Sequence, residues 1–173
     1  MVESSSCEPK EAGELSCPAR SVLEALRTIV LNKGSRKQRL RDAAQTLRQS
    51  GGYRWVGLYD VVPARGIVSC LVWDGPGAPQ YPEFPMEKGL TGRSIRSGKT
   101  VNVGDVASDA DYLTALESTK SEIILPIIGD EGLVVGTVDV ESQFRNAFGP
   151  EAQALLEECA EVIRPLWDRA ART

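Results

Sequence analysis

Ser121-Glu-Ile-Ile-Leu-Pro-Ile-Ile128 and Leu133-Val-Val-Gly-Thr-Val-Asp-Val-Glu141, joined by Gly129-Asp-Glu-Gly132, carry the reading of the fold. Both runs are rich in β-branched residues and too short for buried helices. The connector consists of turn formers, so the two runs read as an antiparallel hairpin. In the second run Val138 and Val140 share one face, and Asp139 and Glu141 share the other. The valine face enters a core. The other face carries two acids, with Glu122 on the neighbouring run. Like charges on one strand face repel unless water or a cation relieves them. A solvated strand end satisfies that condition. So does a pocket for an ammonium or a proton donor, in which crowding would raise the acids' pKa values.

Upstream, Tyr53-Arg-Trp-Val-Gly-Leu-Tyr59 and Gly66-Ile-Val-Ser-Cys-Leu-Val-Trp73 read as two more strands, paired across a turn near Pro63 to Gly66. Trp55 and Tyr59 share a strand face, where they either wall an apolar pocket or pack in the core. Asp74 to Pro79 is a loop. Tyr81 to Met86 is an edge strand at most, because Pro82 and Pro85 cannot sit in a central one. Gly89-Leu-Thr-Gly92 opens a short helix ending near Gly98, and Thr100 to Val103 is a brief strand. Residues 105–120 form an irregular loop with a helical turn around Tyr112 to Glu117.

Two amphipathic helices come first. One runs from Ser21, a candidate cap, through Val22, Leu23, Leu26, Ile29 and Val30. The other carries Leu40, Ala43, Ala44 and Leu47 and stops at Ser50-Gly51-Gly52. Its basic residues, among them Lys33, Lys37 and Arg41, read as a solvated face. The last helix starts at Pro150 and is kinked or shortened by Pro165. The sum is an α+β fold: an antiparallel sheet of about six strands with the N- and C-terminal helices on one face. Residues 1–19, polar and poor in large apolar side chains, read as a tail before a single domain over 20–173.

The chain has 173 residues, with 42% hydrophobic and 25% charged, which suits one globular domain. Its net charge of −4 argues against a nucleic-acid partner. It contains no histidine, which excludes imidazole-based catalysis and His-dependent metal sites. The four cysteines, Cys7, Cys17, Cys70 and Cys159, form no C-x-x-C pair, so no metal or cofactor is expected. No apolar run is long enough to span a bilayer, and no secretory signal is present, so the expected setting is cytoplasmic and away from membranes. Gly92 to Gly98 has five intervening residues where a phosphate loop needs four.

Five stretches, in this order, resemble the GAF domain. They are Trp55-Val-Gly-Leu-Tyr59, Lys88-Gly-Leu-Thr-Gly92, Asn102-Val-Gly-Asp-Val106, Ser121-Glu-Ile-Ile-Leu-Pro126 and Gly136-Thr-Val-Asp-Val-Glu-Ser142. More narrowly the chain is similar to the free methionine-(R)-sulfoxide reductases. That resemblance implies a pocket lined by Trp55 and Tyr59 with acidic contacts from Glu122, Asp139 and Glu141, the last a Glu where an Asp is usual. It also exposes a departure. The family's chemistry needs a thiolate to attack the sulfoxide and a second Cys to resolve the sulfenic acid. Thr91 stands in the place of the Cys of a Gly-Val-Cys-Gly turn. The partner positions fall near Tyr81 and Ala115, and neither is Cys. The expectation is therefore a sensor or regulatory module that binds an amino-acid-like small molecule through these residues and dimerises through its terminal helices. The alternatives are a reductase-like oxidoreductase using relocated cysteines, and an interaction protein with a vestigial pocket.

Overall fold

The computed structural model describes residues 17–113 and 116–168. Six strands make one antiparallel sheet: β1 (Trp55–Val62), β2 (Ile67–Asp74), β3 (Glu83–Pro85), β4 (Val101–Val103), β5 (Ser121–Ile128) and β6 (Val134–Ser142). Their order across the sheet is β3-β2-β1-β6-β5-β4. The β1–β2 and β5–β6 hairpins therefore meet along the β1–β6 seam. Across it Trp55 pairs with Glu141 and Gly57 with Asp139. On the other side of β6, Glu122 pairs with Glu141. Two strand pairings thus bring all three acids to one patch of the sheet.

The helices are α1 (Cys17–Leu31), α2 (Arg36–Gly51), α3 (Gly89–Ser97) and α4 (Pro150–Ile163). Leu23 and Leu26 of α1, Leu40 and Leu47 of α2, and Leu156 and Ile163 of α4 pack on Val56, Leu58, Ile123, Leu125, Val138 and Val140. This is the main core, built on the alternate residues that the strand period assigns to one face. On the opposite face Trp55, Tyr59 and Val68 form a smaller cluster against Ile95 of α3 and Phe84 of β3.

Local chemistry sets the ends of the elements. The Ser35 side chain accepts a hydrogen bond from the Gln38 N–H at 3.2 Å and caps α2, which Gly52 closes in a left-handed conformation. Pro165 ends α4 at Ile163, and the chain continues as a 3-10 turn over Arg164–Trp167. Ser21 does not cap α1 but lies inside it, since the helix already includes Cys17 to Arg20. In the 105–120 loop the turn expected around Tyr112 to Glu117 spans residues 114 and 115, which lie outside the described residues, and a 3-10 turn is found at Val106–Ser108. The Asp105 carboxylate accepts from the Ala107 N–H and fixes that turn.

Candidate functional site

On the face opposite the terminal helices, a narrow, nearly filled cleft lies between the sheet and the segments that cross it. The sheet contributes Tyr59, Glu122, Asp139 and Glu141. The crossing segments contribute Tyr81 and Phe84, then Gly89, Leu90 and Thr91 at the start of α3, and Leu113. The loop that carries Leu113 is tied down from both sides. Arg93 of α3 donates to Asp109 at 2.7 Å, and Arg145 pairs with Asp105 at 2.9 Å. Glycine makes room for the aromatics. A side chain at Gly57 would overlap the ring of Trp55 and come within 2.7 Å of that of Tyr59.

The acids are out of water. Glu122 is 5% exposed, Asp139 4% and Glu141 0%. Among the described residues no Lys or Arg lines the cleft. Thr91 donates through Oγ1 to Asp139 Oδ2 at 3.2 Å, and the Thr119 hydroxyl donates to Glu141 Oε2. Among the described residues Asp139 Oδ1 and Glu141 Oε1 have no partner in hydrogen-bonding geometry. Thr137 lies close enough to Asp139 to favour its charged form but outside that geometry. Burial, opposed by the Thr137 and Thr91 hydroxyls, pushes the Asp139 carboxyl up to about 7. Burial, opposed by Thr119 and reinforced by Asp139, brings Glu141 up to about 7. Burial, then Glu141 and Asp139, hold Glu122 well above the usual carboxylate range. Buried carboxyls without a cation are costly in this way. Among the described residues no group of His, Cys, Asp or Glu is disposed to hold a metal ion.

The fold thus brings Tyr59, Tyr81, Thr91, Glu122, Asp139 and Glu141 to one cleft. Trp55 lies behind it, fully buried, with its ring 6.4 Å from that of Tyr59 and its indole N–H donating to the Gly77 carbonyl at 3.0 Å. Ala115 lies outside the described residues, as does Cys7. The sequence reading did not single out Thr119, Phe84 or Leu113 for the site. It also passed over Gly57, although a glycine inside a strand signals close approach of other groups.

Cys70, distant from the site motifs in sequence, comes near in space. It pairs with Tyr59 across β1–β2 and packs on the aromatic cluster, yet it does not line the cleft. Burial, and then the Asp139 charge, push its thiol up to about 12. Cys159 is buried in the main core.

A family model described as GAF domain matches residues 35–164, most of the chain. The chain belongs to the GAF domain family. This GAF domain superposes on a free methionine-R-sulfoxide reductase from Neisseria meningitidis, solved in complex with its substrate, with a TM-score of 0.80. The two are 27% identical, and the match covers 89% of this chain and 90% of that one. It is 28% identical over 109 residues to the Bacillus subtilis protein YtsP, a match covering 63% of this chain and 65% of YtsP. It is 30% identical over 109 residues to the Saccharomyces cerevisiae free methionine-R-sulfoxide reductase, covering 63% of this chain and 60% of that protein. The GAF domain thus spans less than two thirds of the length of both. Among the described residues no helix is long and apolar enough to cross a membrane.

Proposed function

We propose that this GAF domain is a small-molecule sensor whose cleft binds an amino-acid-like ligand by its ammonium group. The observation that carries the reading is the acid trio. Glu122, Asp139 and Glu141 are buried around one cleft with two orphan oxygens and, among the described residues, no basic side chain. A cation is the partner that such a set lacks, and an ammonium offers three donors. Tyr59, Tyr81 and Phe84 supply apolar wall for the remainder of the ligand, and Trp55 backs it. Thr91 holds Asp139 in place and offers no thiol. The similarity to methionine sulfoxide reductases favours methionine, or its (R)-sulfoxide, among amino acids. A homodimer through the terminal helices and a cytoplasmic setting, suited to the free thiols of Cys70 and Cys159, belong to the same reading.

One observation favours a second reading, a reductase with a relocated thiol: Cys70 sits one strand from the acids, beside Tyr59. Against it, a thiol titrating near 12 supplies almost no thiolate at neutral pH. Calorimetric titration of the reduced protein with L-methionine-(R)-sulfoxide, L-methionine and a panel of small amino acids, with a parallel turnover assay in dithiothreitol, separates the two. The sensor reading expects saturable heat without turnover. Turnover abolished by Cys70→Ser would replace it with the reductase reading.

A further inference from the structure

The three acids leave one another little room for charge. Glu122 and Glu141 face each other directly across β5–β6, and Asp139 lies two residues from Glu141 on the same strand face. Directly opposed residues on such a face have Cβ atoms about 4.5–5.5 Å apart. Out of water, carboxylates so close do not all persist without a cation. Basic groups on the flanking segments are engaged elsewhere. Arg93 of α3 pairs with Asp109 at 2.7 Å, and Arg54, just before β1, donates to Ser118 at 3.3 Å. Lys88 before α3 and Lys120 before β5 are exposed and do not line the cleft. The remaining titratable groups bring no positive charge. Burial, reinforced by Asp139, holds the Tyr59 phenol and the Cys70 thiol in their neutral forms. Tyr81 adds a phenol to the lining, and the Asp109 charge acts on Glu122 from the crossing loop. Without a ligand, protons are what relieve this crowding.

Two hydroxyls then divide the carboxyls into fixed and free oxygens. Thr91, in the first turn of α3, holds Asp139 by Oδ2, and Thr119, just before β5, holds Glu141 by Oε2. Asp139 Oδ1 and Glu141 Oε1, on side chains more than nine-tenths buried, are the oxygens left over. Both threonines are themselves 5% exposed, so water does not readily stand in for them. A donated hydroxyl also favours the charged form of a carboxyl, and here both donors oppose the effect of burial.

We infer that Thr91 and Thr119 are positioning residues that fasten one oxygen of each carboxyl and leave the other to the ligand, and that the ligand's ammonium enters in exchange for a proton held by the acid trio. The ammonium keeps its own three protons. The displaced proton leaves a carboxyl O–H for the buffer, so the charge of the filled cleft equals that of the empty one. The inference rests on the ammonium reading above and adds the exchange and the two residues that set it.

The test is calorimetric titration of the full chain with L-methionine from about pH 5.5 to about pH 7.5, where the ammonium of methionine stays protonated. Each pH is run in buffers of different ionisation enthalpy, which counts the protons released. One proton exchanged is worth up to tenfold in affinity per pH unit. Binding should therefore tighten about tenfold to a hundredfold across the range, with close to one proton released at the acid end. Thr91→Val and Thr119→Val should move this rise to higher pH, and Thr91→Ser and Thr119→Ser should restore it. A valine variant that weakens binding equally at every pH would overturn the role given to its threonine. Wild-type binding that is independent of pH and releases no proton would overturn the exchange and leave the ammonium reading intact. Failure of L-methionine and of the amino-acid panel to bind at any pH would overturn both.

Discussion

At Asp139 and Glu141 two carboxyls stay out of water without a basic partner, and a consequence for pH follows. Both titrate near 7 in the folded chain, against about 4 in an unfolded one. Between those values the folded protein holds more protons than the unfolded one, so stability falls as pH rises from about 4 to about 7. Above that window both groups are charged and the full penalty is present. Urea unfolding should therefore show a midpoint that drops from pH 5 to pH 8, with a loss of roughly 2 kcal/mol or more. In Asp139→Asn/Glu141→Gln the slope should flatten. A wild-type midpoint that rises over the same range would contradict the burial of these acids. Cys70 gives a second check. With a thiol near 12, it should resist iodoacetamide at pH 7 in the folded protein and react promptly once unfolded. Fast alkylation of the native chain would reopen the relocated-thiol reading.

At the scale of elements, β1 can back the cleft because Gly57 leaves space for the rings of Trp55 and Tyr59. Gly57→Ala should destabilise the fold by about 1–3 kcal/mol through overpacking and displace Tyr59 from the cleft wall. Ser35→Ala, at the far end of α2, should cost about 1 kcal/mol through loss of the cap and leave ligand affinity unchanged. Chemical denaturation and calorimetry on the two variants separate the effects. What the sequence made legible follows the same physics. The β5–β6 hairpin was readable because its period of two and its turn formers agree; β5 has the expected ends, Ser121 and Ile128, and β6 lies one residue later than the expected Leu133 to Glu141. The start of α1 was not, because Cys17 and Pro18 carry no side-chain cap signal and Ser21 does. The shared face of Asp139 and Glu141 was visible from spacing. Their burial was not, because it depends on Phe84, Leu90 and Leu113, brought over the sheet from three separate segments. The nearness of Cys70 to the site was not legible, because strand pairing, not sequence distance, sets it opposite Tyr59.

At the scale of the whole molecule, charge is divided within the helical layer. Helix α2 carries Arg36, Lys37, Arg39, Arg41 and Arg48 against the single acid Asp42. Helix α4 carries Glu151, Glu157, Glu158 and Glu161 and no basic residue. In a two-fold dimer the α2 of one copy can face the α4 of the other, twice over. Sedimentation at low salt should give twice the monomer mass, and the dimer should weaken as salt screens these charges. A monomer at every salt concentration would contradict dimerisation through this layer. The cleft lies on the opposite side of the sheet, and there stability and binding should pull in opposite directions. The most direct test is to replace Glu122, Asp139 and Glu141 together, as Glu122→Gln/Asp139→Asn/Glu141→Gln. Unfolding at pH 8 and calorimetric titration with L-methionine would then be compared with wild type. The triple variant should be more stable than wild type and should have lost its ligand. Binding of L-methionine as in wild type, or a loss of stability as well as affinity, would contradict an acidic cleft built to hold a cation.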